Sequence, residues 1–460
     1  MVEPTDSENE QSKNAPVLFS NEWSIYRVPS QLRNVDEAAY TPQTLSIGPF
    51  HHGNPKLRDM EAHKKICYER FRNRTLKTEE ELRIFMMDQQ KRILDCYAGT
   101  FKCDIDFLNV ILVDACFIIE LFLSNSEQEH HNANYYIMRS PWLRKSVERD
   151  LILFENQLPY FLLQELYDFA TPIFSDGHSG NGYQSQGHAH NDSTRSQQCC
   201  FRCFRPGDLQ ENSIQSEPFQ HRFLELACKF FKEYSKGKSV RNRFKPKHFT
   251  DLVRHFLCPY KELSWVENYD DPVKIKYNAR KLKAAGVKFM PLREPFVIKE
   301  DPKLTLINLA CSMHKEMKLT RLWAEYEAVG IFRNTMALEQ LIYPNNPYIC
   351  GYFLLMNQLI KTEEDVEVLI EDGVIFNLLG SNKAVLNMIN SLCEEVKENP
   401  SCYAEICQHI NKHYKMVLYH PLVRMRQVYF KDLWRASIAI LGFVVLVLTV
   451  LTSLRTFKLI

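Results

Sequence analysis

The sequence predicts a mainly α fold with a small minor β component: a helical globular soluble region plus one C-terminal transmembrane helix. Three observations predict it. Apolar residues recur at i, i+3, i+4 and i+7 in segment after segment, which is the spacing of a helix face. Glycine numbers only 15, and Gly177, Gly180, Gly182, Gly187 and Gly207 share one polar stretch, so the remainder is poor in the residue that most weakens helices after proline. Residues 436–454, ASIAILGFVVLVLTVLTSL, carry no charge at all.

Residues 1–20 are acidic and polar and read as a disordered N-terminus. They lack an apolar h-region and any arginine, so neither a secretory signal nor a transit peptide is expected there. Val2 excludes N-myristoylation. Residues 21–170 form the helical N-terminal part. Asn54-Pro55 reads as an N-cap and N1 pair, followed by Leu57, Met60, Cys67 and Phe71 at helical spacing. LNVILVDACFIIELFL (108–123) resembles a membrane span, but it is short and holds Asp114 and Glu120, so it reads as a buried helix.

Residues 150–169, DLILFENQLPYFLLQELYDF, place polar groups inside a greasy run. Val147, Leu151, Phe154, Leu158 and Phe161 keep helical intervals, and Pro159 must break or kink the helix. Asn156 is positioned to cap a new helix starting at Gln157, with Glu155 near its positive end. Asp150 and Glu155 lie five residues apart, which on a helix turns their carboxylates away from each other. Structural pairing is therefore expected of them ahead of acid–base work or partner recognition.

Residues 171–217 are rich in Gly, Ser, His, Gln and Asn and read as a flexible polar insertion that splits the soluble part. His178, His188, His190, Cys199, Cys200 and Cys203 are metal-ligating types, yet their spacing matches no structural zinc pattern. Cys199, Cys200 and Cys203, beside Arg202 and Arg205, are candidates for S-acylation, with inert loop thiols as the alternative. His51-His52 reads as a loop dipeptide.

Residues 218–430 resume with helices such as FLELACKFFKEY, and GVKFM and LTLINLACSM read as short strands. Thr362 and Asp365 form a capping box, Asp372-Gly373 ends that helix, and Ser381 caps the next, whose apolar face is Val385, Met388, Ile389, Leu392 and Val396.

For residues 436–454, nineteen helical residues span roughly 28 Å, close to the hydrocarbon thickness of a bilayer. Trp434 sits at an interfacial position. Arg424, Arg426, Lys431 and Arg435 outnumber Arg455 and Lys458 beyond, which places the N-terminal side in the cytosol. Six residues, 455–460, follow the span as a short tail, so a tail-anchored single-pass protein with its bulk in the cytosol is expected, at the plasma membrane or the endoplasmic reticulum. The N-x-S/T sites at Asn73 and Asn191 are silent in that topology.

Lys plus Arg number 57 and Asp plus Glu 56, so no nucleic-acid partner is indicated. Cys67, Cys96, Cys116, Cys228, Cys311 and Cys393 are scattered singly through apolar segments, as buried free thiols in a reducing compartment are. No G-x-G-x-x-G, G-x-S-x-G, H-E-x-x-H or EF-hand pattern is present, and KGKS (236–239) lacks the first glycine of a phosphate loop. No catalytic residue, cofactor, metal ligand or small-molecule substrate is assigned.

Six stretches, in order, resemble the plant family known as domain of unknown function 247. They are IYRVPSQLRNVDEAAYTPQTLSIGPFHHG, LRDMEAHKK, DLILFENQLPYFLL, AGVKF, RNTMALEQ and DVEVLIEDGVIFNLLGSNKAV. The resemblance runs from about Ile25 to the end of the chain. It implies a flowering-plant membrane protein, with some relatives linked to pollen self-incompatibility in grasses. The family has no established catalytic residues. Asp150, Glu155, Asn156, Gln157 and Pro159 match a family signature of unknown role. KEMKLTRLWAEYEAVGIF stands where relatives have an Ile-Pro-Pro-Leu-like turn, so the analogy does not extend to Glu316–Phe332. The expectation is a membrane-tethered, non-enzymatic interaction protein with unidentified protein partners. The alternatives are an unrecognised hydrolase-like enzyme with a pocket in the helical domain and a cell-recognition component in plant reproduction.

Overall fold

The computed structural model describes residues 24–99, 105–127, 136–171, 222–235, 240, 244–258, 274–292, 309–312, 316–397, 403–419 and 433–456. They fall into two compact units, one reaching to His255 and one starting at Phe256. The 171–217 insertion, from residue 172 onward, lies outside the described residues.

The first unit is helical. After a short helix α1 (Ser30–Val35), Asn54 accepts from the N–H of Lys56 and Pro55 opens a 3₁₀ turn. That turn runs into α2 (Arg58–Thr75), which buries Met60, Cys67 and Phe71. Helix α3 (Glu79–Asp95) starts on a Thr78–Glu81 capping box. Helix α4 (Ile105–Glu127) is the axis of the core, with Ile111, Ala115, Ile118 and Phe122 wholly buried.

Although α4 is long and apolar enough to cross a membrane, it is mostly buried in protein. Its interior acids explain why it stays there. Asp114 lies 2.7 Å from Lys64 Nζ and Glu120 lies 2.9 Å from Arg74 Nε, both cations supplied by α2. Each would be costly facing lipid.

Beyond α4 come α5 (Tyr136–Arg139), α6 (Pro141–Ile152) and α7 (Tyr160–Ala170). Then follow α8 (Arg222–Phe230), α9 (Lys232–Ser235) and α10 (Phe249–Leu257). Both α7 and α8 pack on α4, and Phe122 meets the rings of Phe223, Phe230, Phe231 and Phe249. The first unit thus continues past the insertion rather than ending at it.

The helix expected to run through Phe154 and Leu158 stops at Ile152, and residues 153–159 are irregular. Pro159 stands at the N-cap position of α7, and Asn156 caps nothing. The reason is that the amide and acid side chains of this segment bond elsewhere, as described below.

The second unit holds the minor β component. After α11 (Ala279–Ala284) come β1 (Lys288–Leu292), β2 (Leu309–Ser312) and β3 (Glu316–Thr320). β3 lies in the middle, parallel to β1 and antiparallel to β2. β4 (Leu322–Ala324) precedes α12 (Tyr326–Ile342), α13 (Tyr348–Leu359) and α14 (Glu363–Glu371). It pairs in parallel with β5 (Ile375–Asn377), which comes before α15 (Asn382–Cys393). β3 and β4 occupy the stretch where the family resemblance gave no guide.

Ser381 caps α15 as expected, and Gly373 (φ +72°) follows the end of α14. Val385, Met388, Ile389 and Leu392 are buried, whereas Val396 lies beyond the helix end. Helix α16 (Ala404–Tyr419) follows, then α17 (Leu433–Thr456).

Two buried carboxylates pin the irregular backbone of this unit. Asp365 accepts the N–H groups of Arg280, Lys361 and Thr362, the Thr362 hydroxyl and the Asn278 amide. Glu339 accepts from the N–H groups of Ile349 and Cys350 at the start of α13, whose N-cap, Pro347, makes no side-chain cap bond. Replacing Asp365 by alanine takes the acceptor from several part-buried donors at once. Asp365→Ala should cost about 2–4 kcal/mol, read as a lower urea midpoint; an unchanged midpoint would show that the donors find water.

Candidate functional site: the buried polar junction of residues 150–157

The signature residues Asp150, Glu155, Asn156 and Gln157 are all buried at the α6–α7 junction. Their partners come from the loop of residues 43–51 and from α10. Asp150 Oδ2 accepts the successive N–H groups of Gln43, Thr44 and Leu45 at 3.0, 2.6 and 2.9 Å, and Oδ1 accepts from Arg149. Asn156 Oδ1 accepts from Ile47 N at 2.6 Å, while its Nδ2 donates to the carbonyls of Leu45 and Asp150. Gln157 Nε2 donates to the carbonyls of Leu151 and Leu153, where α6 has run out, and its Oε1 accepts from Phe249 N at the start of α10.

Glu155 serves a different set of partners. It accepts from Val28 N and Arg33 Nη2, and its second oxygen lies 3.2 Å from His51 Nε2. Burial would push its pKa up, but His51, Arg33 and the Val28 N–H outweigh that and hold it below 4.5. For Asp150 burial wins, against the pull of Arg149 and the Leu45 and Thr44 N–H groups, and its pKa is raised. The two carboxylates do not converge on a common point. Pro159 contributes by lacking an N–H where α7 begins; the next N–H, of Tyr160, donates to Lys247 O.

Sequence reasoning missed five members of this junction. His51 read as a loop residue, yet it faces Glu155. Arg33 carried no signal of its own, and Asp114 was read only as an interior acid of a buried helix, although it accepts from Gly48 N at 2.8 Å. Gly48 has φ +70°, and a Cβ there would lie 2.6 Å from Gln157 O and 3.1 Å from Tyr97 Oη. Tyr97 itself donates to Gln157 O at 2.9 Å. The available clue was that IGPFHHG and FENQLP both belong to the family pattern: they are two halves of one network.

Other candidates stand apart. Cys67, Cys96, Cys116, Cys228, Cys258, Cys350, Cys393 and Cys407 are free, and burial pushes Cys228, Cys393 and Cys407 up to about 12, which makes those three poor nucleophiles. Cys199, Cys200 and Cys203 lie outside the described residues, as do His178, His188 and His190. Among the described residues no group of His, Cys, Asp and Glu is arranged to hold a metal ion.

Two predictions follow from the geometry. Gly48→Ala should destabilise the protein by about 2–4 kcal/mol through its backbone conformation and the Gln157 carbonyl; a urea midpoint equal to wild type would refute the close approach. Glu155 titrates lower in the folded protein than its ordinary 4.5. Its contribution is therefore present above that pH and lost as pH falls through the native value. Stability measured from pH 6 to pH 3 should drop more steeply for wild type than for Glu155→Gln, and parallel curves would exclude an ionised Glu155 as a stabilising group.

A sequence model of the family DUF247, described as a plant protein of unknown function, matches residues 25–448. The Arabidopsis thaliana protein named UPF0481 protein At3g47200 is 25% identical over 454 residues, covering 93% of this chain and 85% of that one. A second from the same plant, Putative UPF0481 protein At3g02645, is 28% identical over 148 residues, 32% of this chain and 27% of its own. No solved structure matches. The signature at the α6–α7 junction and the loop it binds both fall inside the matched span, and the chain belongs to the plant DUF247 family.

Proposed function

We propose that the chain is a membrane-tethered, non-enzymatic interaction and recognition protein, anchored through α17 with its bulk on the cytosolic side. The observation that carries the reading is the environment of α17. Every described side chain from Ile440 to Ser453 is exposed, including Leu441, Phe443, Leu446 and Leu448. A helix apolar on all sides is stable when something apolar surrounds all of it. Thr449 and Thr452 donate their hydroxyls to the carbonyls of Val445 and Leu448, so their polar groups are satisfied within the helix. With the uncharged run at 436–454, a lipid bilayer is the surrounding that fits.

The non-enzymatic part of the reading is supported by how the signature is used. Asn156 and Gln157 spend their hydrogen-bonding capacity on backbone groups, Asp150 is engaged by three backbone N–H groups and the Arg149 side chain, and Glu155 is engaged by Val28, Arg33 and His51. A general acid or base needs a face open to substrate. The cytosolic orientation rests on Arg424, Arg426, Lys431 and Arg435 preceding the helix.

Protease protection in sealed plant microsomes tests this, with an N-terminal tag and a variant lacking residues 436–454. The tag should be digested, the full chain should resist alkaline carbonate, and the variant should be released. A protected tag would overturn the orientation and make Asn73 and Asn191 live glycosylation sites. A variant that stays in the membrane would overturn the anchor.

A further inference from the structure

Helix α16 ends at Tyr419 and α17 begins at Leu433. The intervening chain can span at most about 50 Å, so if α17 is in a bilayer, the end of α16 stays within that reach of the point where α17 begins. Against α16 lies the extended segment of residues 274–277. Asn411 clasps it by accepting from Lys276 N at 2.9 Å and donating to Lys274 O at 2.7 Å. Tyr277 stacks on Tyr414 with ring centroids 3.7 Å apart. His413 turns inward, with Nε2 3.2 Å from Ala285 O.

This joint sets the direction of its neighbours. Ile275 is buried, so Lys274 and Lys276 point outward on either side of it, as alternation in an extended segment requires. On α16, Ile410, Asn411 and His413 are buried, while Lys412, Lys415 and Met416 are exposed. Lys276, Lys412 and Lys415 are each one residue from a member of the joint. Among the described residues none of the three has an acidic partner, whereas Lys283 in the same unit is paired with Glu371 and Asp372.

We propose that this face, Lys276, Lys412 and Lys415 with Met416 beside them, docks on anionic phospholipid headgroups of the bilayer that holds α17. The proposal rests on the tethered reading above and goes beyond it, because it assigns a lipid class and an orientation to the second unit. Three lysines without acidic partners on a chain with almost no net charge form a local basic surface, and a polar basic face with an exposed methionine suits an interface plane. Each lysine should bias the docked state about five-fold at moderate salt.

The test uses the full chain reconstituted into vesicles of neutral phosphatidylcholine, or of the same lipid with phosphatidylserine. Flotation reports insertion. Mass spectrometry of lysine acetylation by an uncharged reagent, normalised to a free peptide in the same tube, reports docking. The expected result is flotation with both vesicles. Acetylation of Lys276, Lys412 and Lys415 should slow about five-fold or more on the anionic ones only, with protection lost in high salt.

Flotation with both and equal reactivity in both would overturn the docking face while leaving the tether standing. Protection on neutral vesicles as well would also overturn it, since charge would not be what is recognised. Flotation with anionic vesicles alone, with the three lysines protected, would uphold the face and overturn the tether. Flotation with neither would overturn both. The Lys412→Glu, Lys415→Glu variant should float like wild type with neutral vesicles and lose the anionic-specific slowing at Lys276; retention of that slowing would place the contact elsewhere.

Discussion

Asp150 receives three consecutive backbone N–H groups from a loop more than one hundred residues earlier in the chain. Much of the first unit depends on that bond set. A carboxylate taken out of water costs several kcal/mol unless donors replace the solvent. A loop running through a core has the opposite difficulty, because its N–H groups lack a ladder. Each solves the other's problem. Asn156 extends the arrangement to Ile47 and Leu45, and Gln157 carries it from the end of α6 to the start of α10. Loop, helix junction and a third helix thereby become one cooperative object. The same device recurs in the second unit, where Asp365 and Glu339 hold the entrances of α14 and α13.

This explains why the junction is irregular where periodicity reads helix. Helical residues 153–159 would point Asn156 and Gln157 to different sides and leave the 43–48 backbone without partners. The chain gives up one to two turns of helix and recovers side-chain hydrogen bonds to buried backbone, each worth more in a low-dielectric setting than on a surface. Gly48 completes the fit, since the carbonyl of Gln157 occupies the space a side chain there would need.

The legibility of the sequence follows the range of the interactions. Local signals were readable: the Asn54-Pro55 start, the Thr362–Asp365 box, the Ser381 cap and the burial of α4 all rest on residues within a few positions of each other or on composition. The apolar periodicity of α15 was read correctly up to its last member. What could not be read was any partner chosen by the fold. Nothing near His51 announces Glu155, and nothing near Gly48 announces Asp114 or Gln157. The end of α6 was misplaced for the same reason, because its cause lies in residues 43–47. β3 and β4 were missed because strands of five and three residues between turns carry too little periodicity to be told from loop.

Helices α4 and α17 show how polar partners decide the fate of similar compositions. Both are long and rich in Ile, Leu, Val and Phe. α4 carries Asp114 and Glu120, and α2 presents Lys64 and Arg74 at the matching heights, so the helix is complete only inside the protein. α17 between 436 and 454 carries no charge, and two of its threonine hydroxyls are returned to its own carbonyls. By length and hydropathy α4 is the stronger candidate for a membrane span, and the apolar stretch Ile440–Arg455 of α17 is the shorter. What separates them is charge: the acids of α4 tie it to α2, whereas residues 436–454 of α17 carry none.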